Sequence, residues 1–225
     1  MAQVATTLNA LLLSRQVRKA GVLDGRRAVA DHWSFSSLAG HLVELLSGPV
    51  GARLSAAVDL VCSAQRKDEN VVWLSRPERS FFPPDAERAG VDLNALVIVH
   101  LHRDDDLFLA ADKLVRSGGF GLVVVDLSGG SCTEPARKGL AARQSRLSGL
   151  ARTHNAAVVL LRDEHDGTLM SVCVTAERSI AGPPEVGSTA SAQIEWPVVV
   201  TASRDRRSRA GWTQELCHLG PDGMR

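Results

Sequence analysis

A chain of 225 residues that is 44% hydrophobic, 23% charged and 4% aromatic has the make-up of an ordinary globular domain with a sizeable core, which excludes a disordered or fibrous chain. The formal net charge of +1 creates no general pull toward nucleic acid or membrane, although Arg204, Arg206, Arg207 and Arg209 crowd near the C-terminus. Cys62, Cys132, Cys173 and Cys217 lie far apart without zinc-site spacing, so they are expected to be reduced, mostly buried thiols; with no leader-like or membrane-spanning run, cytoplasm is the expected compartment and no membrane partner is expected.

From Ala5 to Ala20, Leu8, Leu11 and Leu12 recur near helical spacing, and Arg15, Arg18 and Lys19 precede Gly21, which predicts an N-terminal helix with a glycine stop. Residues 21–35 lack periodicity and read as a linker, so residues 1–32 are set apart from a core domain over 33–225. The core then alternates. His41–Leu46 reads as a strand, Leu54–Gln65 as a helix and Val71–Leu74 as a strand, and Ala86–Gly90 closes a short helix. Leu96–Leu101 follows as a strand, Asp105–Ser117 as a helix, Leu122–Val125 as a strand, Lys138–Thr153 as a helix and Ala157–Leu161 as a strand. Such alternation predicts an α/β fold with a mainly parallel sheet covered on both faces. Leu169–Thr175 and Val198–Ala202, separated by a loop holding Pro183, Pro184 and Gly187, are expected to extend that sheet antiparallel.

Ser47–Ser55 (SGPVGARLS) joins a strand to a helix, the place of a phosphate-binding loop. A working loop follows G-x-x-x-x-G-K-S/T: its glycines let N–H groups wrap phosphate, its lysine neutralises the terminal oxygens and its hydroxyl holds magnesium. Here Gly48, Pro49 and Gly51 are too closely spaced, Ala52 stands in place of lysine, and Arg53 offers a planar fork instead of a compact charge. The segment reads as a degenerate nucleotide loop or simply as a tight strand-to-helix turn. Asp126 ends an apolar strand at the ligand edge, where an aspartate either orients magnesium through water or caps the turn at Ser128 and Gly129. His100 and His102 before Asp104–Asp106 superficially offer metal ligands, but the acidic run also suits a helix N-terminus, and no metal is expected. Residues 162–166 read as a solvated loop, and no G-x-S-x-G elbow or Cys/His pairing supports a nucleophile. No catalytic residue is expected.

The succession HLVELLSGP, GVDLNALVIVHL, ADKLVRSGGFGLVVVDL and GLAARQSRLSGLARTHNAAVVLL is similar to the central core of bacterial RecA recombinases, from roughly Trp33 to Leu219. In this resemblance Ala52 and Arg53 stand at the lysine and threonine of the phosphate loop, Asp126 matches the second acidic motif, and Glu78 falls near the water-activating glutamate. The two DNA-holding loops look trimmed, at Ser128–Lys138 and Arg162–Gly167, and the nucleotide-sensing glutamine has no match at Arg162 or Asp163. Arg204, Asp205 and Arg206 resemble the Lys-Asn-Lys that reaches across the RecA subunit interface; they and Arg207 are candidate contacts to a partner, a phosphate or DNA backbone. A short RecA-like core with a broken loop, a leading helix and an arginine-rich strand pair resembles the ImuA family, a SulA-like accessory group of DNA-damage-induced mutagenesis. The resemblance implies an adaptor without ATP or magnesium as cofactor. Its implied partners are RecA, the Y-family polymerase relative ImuB and the error-prone polymerase DnaE2, in the cytoplasm or at the nucleoid. It also implies that Leu8, Leu11 and Leu12 form a face for binding RecA or a mutagenesis partner, unless they pack on the chain's own core. The alternatives are a divergent DNA-dependent ATPase using Arg53 and Asp126 with ATP and magnesium, or a SulA-like division inhibitor.

Overall fold

The structure, a computed structural model, describes residues 31–49, 51–78, 81–129, 139–165, 169–179, 195–207 and 211–219. The expected helix over Ala5–Ala20, with Leu8, Leu11 and Leu12, lies outside the described residues. In chain order the elements are α1 (Phe35–Leu38), β1 (Leu42–Ser47), α2 (Arg53–Gln65), β2 (Val71–Ser75), α3 (Pro83–Arg88), a 3-10 turn (Leu93–Ala95), β3 (Leu96–His100) and α4 (Asp104–Ser117). Then follow β4 (Leu122–Asp126), α5 (Leu140–His154), β5 (Ala157–Arg162), β6 (Val172–Arg178), β7 (Glu195–Asp205) and β8 (Thr213–Leu219).

One eight-stranded sheet holds them in the order β3-β2-β4-β5-β1-β6-β7-β8. Pairing is parallel from β3 through β6, and antiparallel where β7 joins β6 and β8 joins β7. The expected α/β architecture is therefore present, with its antiparallel extension, as a RecA-like core requires.

Strand composition explains the layers. In β2, β4 and β5 every residue is buried, so alternation gives way to continuous Val/Leu runs. Successive side chains feed opposite cores: Val43, Leu45, Trp73, Val124, Val159 and Leu161 pack on one side with Trp33 and Leu60. Leu42, Leu74, Val123, Val125, Val158 and Leu160 pack on the other with Leu107, Val115 and Leu147 of α4 and α5. Full burial of each such side chain contributes roughly 1.5–3 kcal/mol. Helix α4 begins with Asp104, Asp105 and Asp106, whose charges oppose its dipole, and stops at Gly118 with φ +68°, where the amide donates to the Val115 carbonyl.

The structure departs from the sequence reading in its modest elements. A short helix over Phe35–Leu38, with Phe35 and Leu38 buried, begins at the last residue of the expected linker. The short helix expected to close within Ala86–Gly90 runs Pro83–Arg88, opened by two prolines in its first turn. Strand β6 is shifted three residues later than expected, β7 runs further at both ends, and β8 was not anticipated. Among the described residues, no helix is long and apolar enough to cross a membrane.

Candidate functional site

Because β1, β2, β4 and β5 are parallel, their carboxyl ends gather Ser47, Arg76, Asp126 and Arg162 along one edge, the edge where open α/β sheets bind ligands. The segment after β1 lies along that edge, but it is stitched to β6. The amides of Gly48 and Ala52 both donate to the Ala176 carbonyl, at 3.1 and 3.4 Å, and Gly51 forms an antiparallel bridge with Glu177. These are the donors that a phosphate cradle would turn toward its anion. Helix α2 then starts after Ala52 without a side-chain cap.

Gly48 lies directly against the side chain of exposed Glu177. A Cβ there would come within 2.0 Å of the Glu177 side chain and 2.2 Å of its carboxylate oxygen, and one at Gly51 within 2.6 Å of Ser47 Oγ. A carboxylate thus lies against the turn where phosphate would have to settle. Pro49 is exposed and has no amide to give.

Arg53 is occupied. Its Nη1 donates to the Arg162 carbonyl at 2.5 Å and to Asp163 Oδ1 at 2.8 Å, while the other oxygen of Asp163 accepts from the Gly129 amide. The guanidinium is largely shielded, at 13% exposure, whereas the Asp163 side chain is 52% exposed. A single carboxylate joins the segment after β1 to the turn after β4, the bridging task that a bound phosphate would perform.

Asp126 is buried, and its Oδ1 accepts from both the amide (3.0 Å) and hydroxyl (2.5 Å) of Ser128. This is the turn-capping arrangement that its sequence position allowed. Arg76 extends the lattice by donating to the Ser128 carbonyl at 3.1 Å and approaching Asp104 at 3.5 Å. Glu78 is exposed in the turn after β2. His100 Nδ1 lies 3.1 Å from Ser75 Oγ, His102 is exposed, and Asp104–Asp106 occupy the first turn of α4.

The arginines after β7 do not act alike. Arg206 is exposed and Arg204 partly so, whereas Arg207 turns inward to Asp205, with Nη2 at 2.8 Å and Nε at 3.0 Å, and also donates to the Ser37 carbonyl. The Trp212 indole donates to Asp205 at 2.8 Å. Burial alone would raise the Asp205 pKa, but the hydrogen bonds from Arg207 and Trp212 overcome it and hold the carboxyl far below the usual range. Of the basic cluster, Arg207 therefore braces β7 against α1.

The sequence reading missed one constellation. Glu44, wholly buried in β1, lies beside its register partner Cys173 of β6, and His165 Nδ1 hydrogen-bonds its Oε2. Arg162 Nε lies 3.8 Å from Oε1 of the same carboxylate. Burial, then the Glu44 charge, push the Cys173 thiol up to about 12, which makes it an inert thiol rather than a nucleophile. The signal available in the sequence was a glutamate inside the otherwise apolar LVELL run.

No family model matches the chain. It is similar to RecA proteins over 87 residues, 39% of its length: 30% identical to that of Chlorobium limicola, 30% to that of a Nocardioides species and 24% to that of Rickettsia massiliae. The matched segment spans about a quarter of these relatives, 25% of each. A RecA-like relationship is supported by this similarity together with the sheet described above.

Proposed function

We propose that this chain is a non-catalytic RecA-like accessory protein of damage-induced mutagenesis. In this reading it binds RecA and the error-prone polymerase complex, ImuB and DnaE2, through surfaces outside the former nucleotide edge, and it limits RecA filaments. The observation that carries the reading is the closed edge: Arg53 is held by Asp163, the Gly48 and Ala52 amides are held by Ala176, and Glu177 lies against Gly48. An ATPase needs donors and cations free to follow charge developing on phosphate, and here the protein's own carboxylates and carbonyls engage them. Exposed Arg206 and partly exposed Arg204 are the charged contacts offered to a partner.

The test is calorimetry with ATP and magnesium beside an ATPase assay with single-stranded DNA, on the full chain and on Asp126→Ala, followed by RecA and ImuB pull-downs. Absence of nucleotide heat and turnover with retained pull-down is the expected result. Magnesium-dependent turnover abolished by Asp126→Ala would overturn the adaptor reading in favour of a divergent ATPase.

A further inference from the structure

The three donors that meet at Glu44 come from neighbouring strands. Glu44 is in β1, Cys173 is its register partner in β6, and His165 follows β5, the strand on the other side of β1. One carboxylate oxygen, one imidazole nitrogen and one sulfur lie within 4.8 Å of one another. Two of these side chains are wholly shielded, Glu44 at 0% and Cys173 at 1%, while His165 stands at the mouth with 45% of its side chain exposed. We propose that Glu44, His165 and Cys173 form a binding site for a borderline-soft divalent metal, with zinc the best match, that fastens the chain after β5 to the centre of the sheet.

Donor chemistry selects the class. Mixed O, N and S ligands suit zinc or cobalt and are poor for magnesium or calcium, which take oxygen only. A tetrahedral zinc with bonds of about 2.0–2.3 Å holds its ligands roughly 3.3–3.8 Å apart, so the ion would separate Glu44 from His165 within a cluster whose ligand atoms all lie within 4.8 Å of one another. The ion would sit between Glu44 Oε2 and His165 Nδ1, with the neutral imidazole carrying its proton on the outer Nε2, and binding would release the Cys173 thiol proton to solvent. Arg162 Nε already lies 3.8 Å from the other oxygen of Glu44, so its charge would stay beside the liganding carboxylate. Its positive charge also weakens the site for any cation, so the other two ligands must both contribute. Because His165 is exposed, the fourth position opens toward water on the side from which the ion enters.

The experiment is titration of tag-free, metal-stripped full-length protein with cobalt(II), followed by zinc competition and metal analysis of the dialysed protein. The expected result is one equivalent of cobalt giving tetrahedral visible bands and a thiolate-to-cobalt band in the near ultraviolet, both displaced by zinc. Cys173→Ser should abolish the thiolate band, His165→Gln should weaken affinity at least tenfold, and Cys62→Ser should change neither. Zinc should also raise the thermal midpoint of the unaltered protein but not of His165→Gln, a surface change that leaves the core packing intact. Substoichiometric cobalt without a thiolate band would overturn the proposal, as would full binding that survives both Cys173→Ser and His165→Gln.

Discussion

Arg53 and Asp163, 110 residues apart in sequence, meet at 2.8 Å across the carboxyl edge of the sheet, and the same carboxylate accepts from the Gly129 amide. The pair lies in a half-open setting, with the acid 52% exposed, so its net contribution to stability is small. Asp163→Ala is expected to cost less than about 1 kcal/mol in urea unfolding. It is also expected to leave ATP calorimetry silent, because the Gly48 and Ala52 amides remain on the Ala176 carbonyl. Appearance of ATP binding in this variant would show that Asp163 alone blocks the edge.

Gly48→Ala forces a Cβ into the Glu177 side chain. Glu177 is exposed and its side chain can swing away, so the change is expected to cost less than about 1 kcal/mol, measured as a slightly lowered denaturation midpoint at unchanged slope. Glu177→Ala should recover most of that loss in the double variant, giving a coupling energy that two independent sites would lack.

The Asp205 carboxyl has its pKa lowered in the folded state, so the stability it contributes is present above its unfolded value of about 3.9 and is lost as pH falls toward the folded value. Acid unfolding below about pH 4 should therefore be steep in the unaltered protein and shallower in Asp205→Asn. At neutral pH that variant leaves Arg207 without its anion, a change expected to cost about 3 kcal/mol in a chemical denaturation curve.

His41 acts in a second window. Burial first, then the Arg207 charge, lower its pKa below the ordinary 6.5. The folded state thus prefers the neutral ring: stability is complete above about pH 6.5 and declines as pH falls below it, while the unfolded chain takes up the proton first. His41→Gln should flatten the thermal midpoint between pH 7 and 5. An unchanged slope would assign the decline to another group.

Much of the sheet was readable because strands buried on both faces leave no alternative to continuous Val and Leu, as in Val71–Leu74 and Leu122–Val125. Strand β8 escaped for the opposite reason: in TQELCHL the buried Leu216 follows three polar residues, and such a border strand carries little hydrophobic signal. The placement of Asp126 at a strand end followed from periodicity, but its hydrogen bonds to the Ser128 amide and hydroxyl are a matter of ångströms. Arg53 with Asp163 and Glu44 with His165 are pairings between residues more than a hundred positions apart. Local spacing carries no trace of them, since topology alone brings the carboxyl ends of β1 and β5 together.

The place of β1 between β5 and β6 has a consequence for synthesis. Among the described strands β1 is synthesised first, and it has no sheet neighbour until Ala157–Arg162 follows, its second arriving only with Val172–Arg178. During that interval Leu42–Ser47 is an apolar segment without a partner, a state in which long-range parallel pairings are slow to form and prone to aggregate. Translation speed and chaperone supply should therefore govern the yield of folded protein more strongly than its equilibrium stability does.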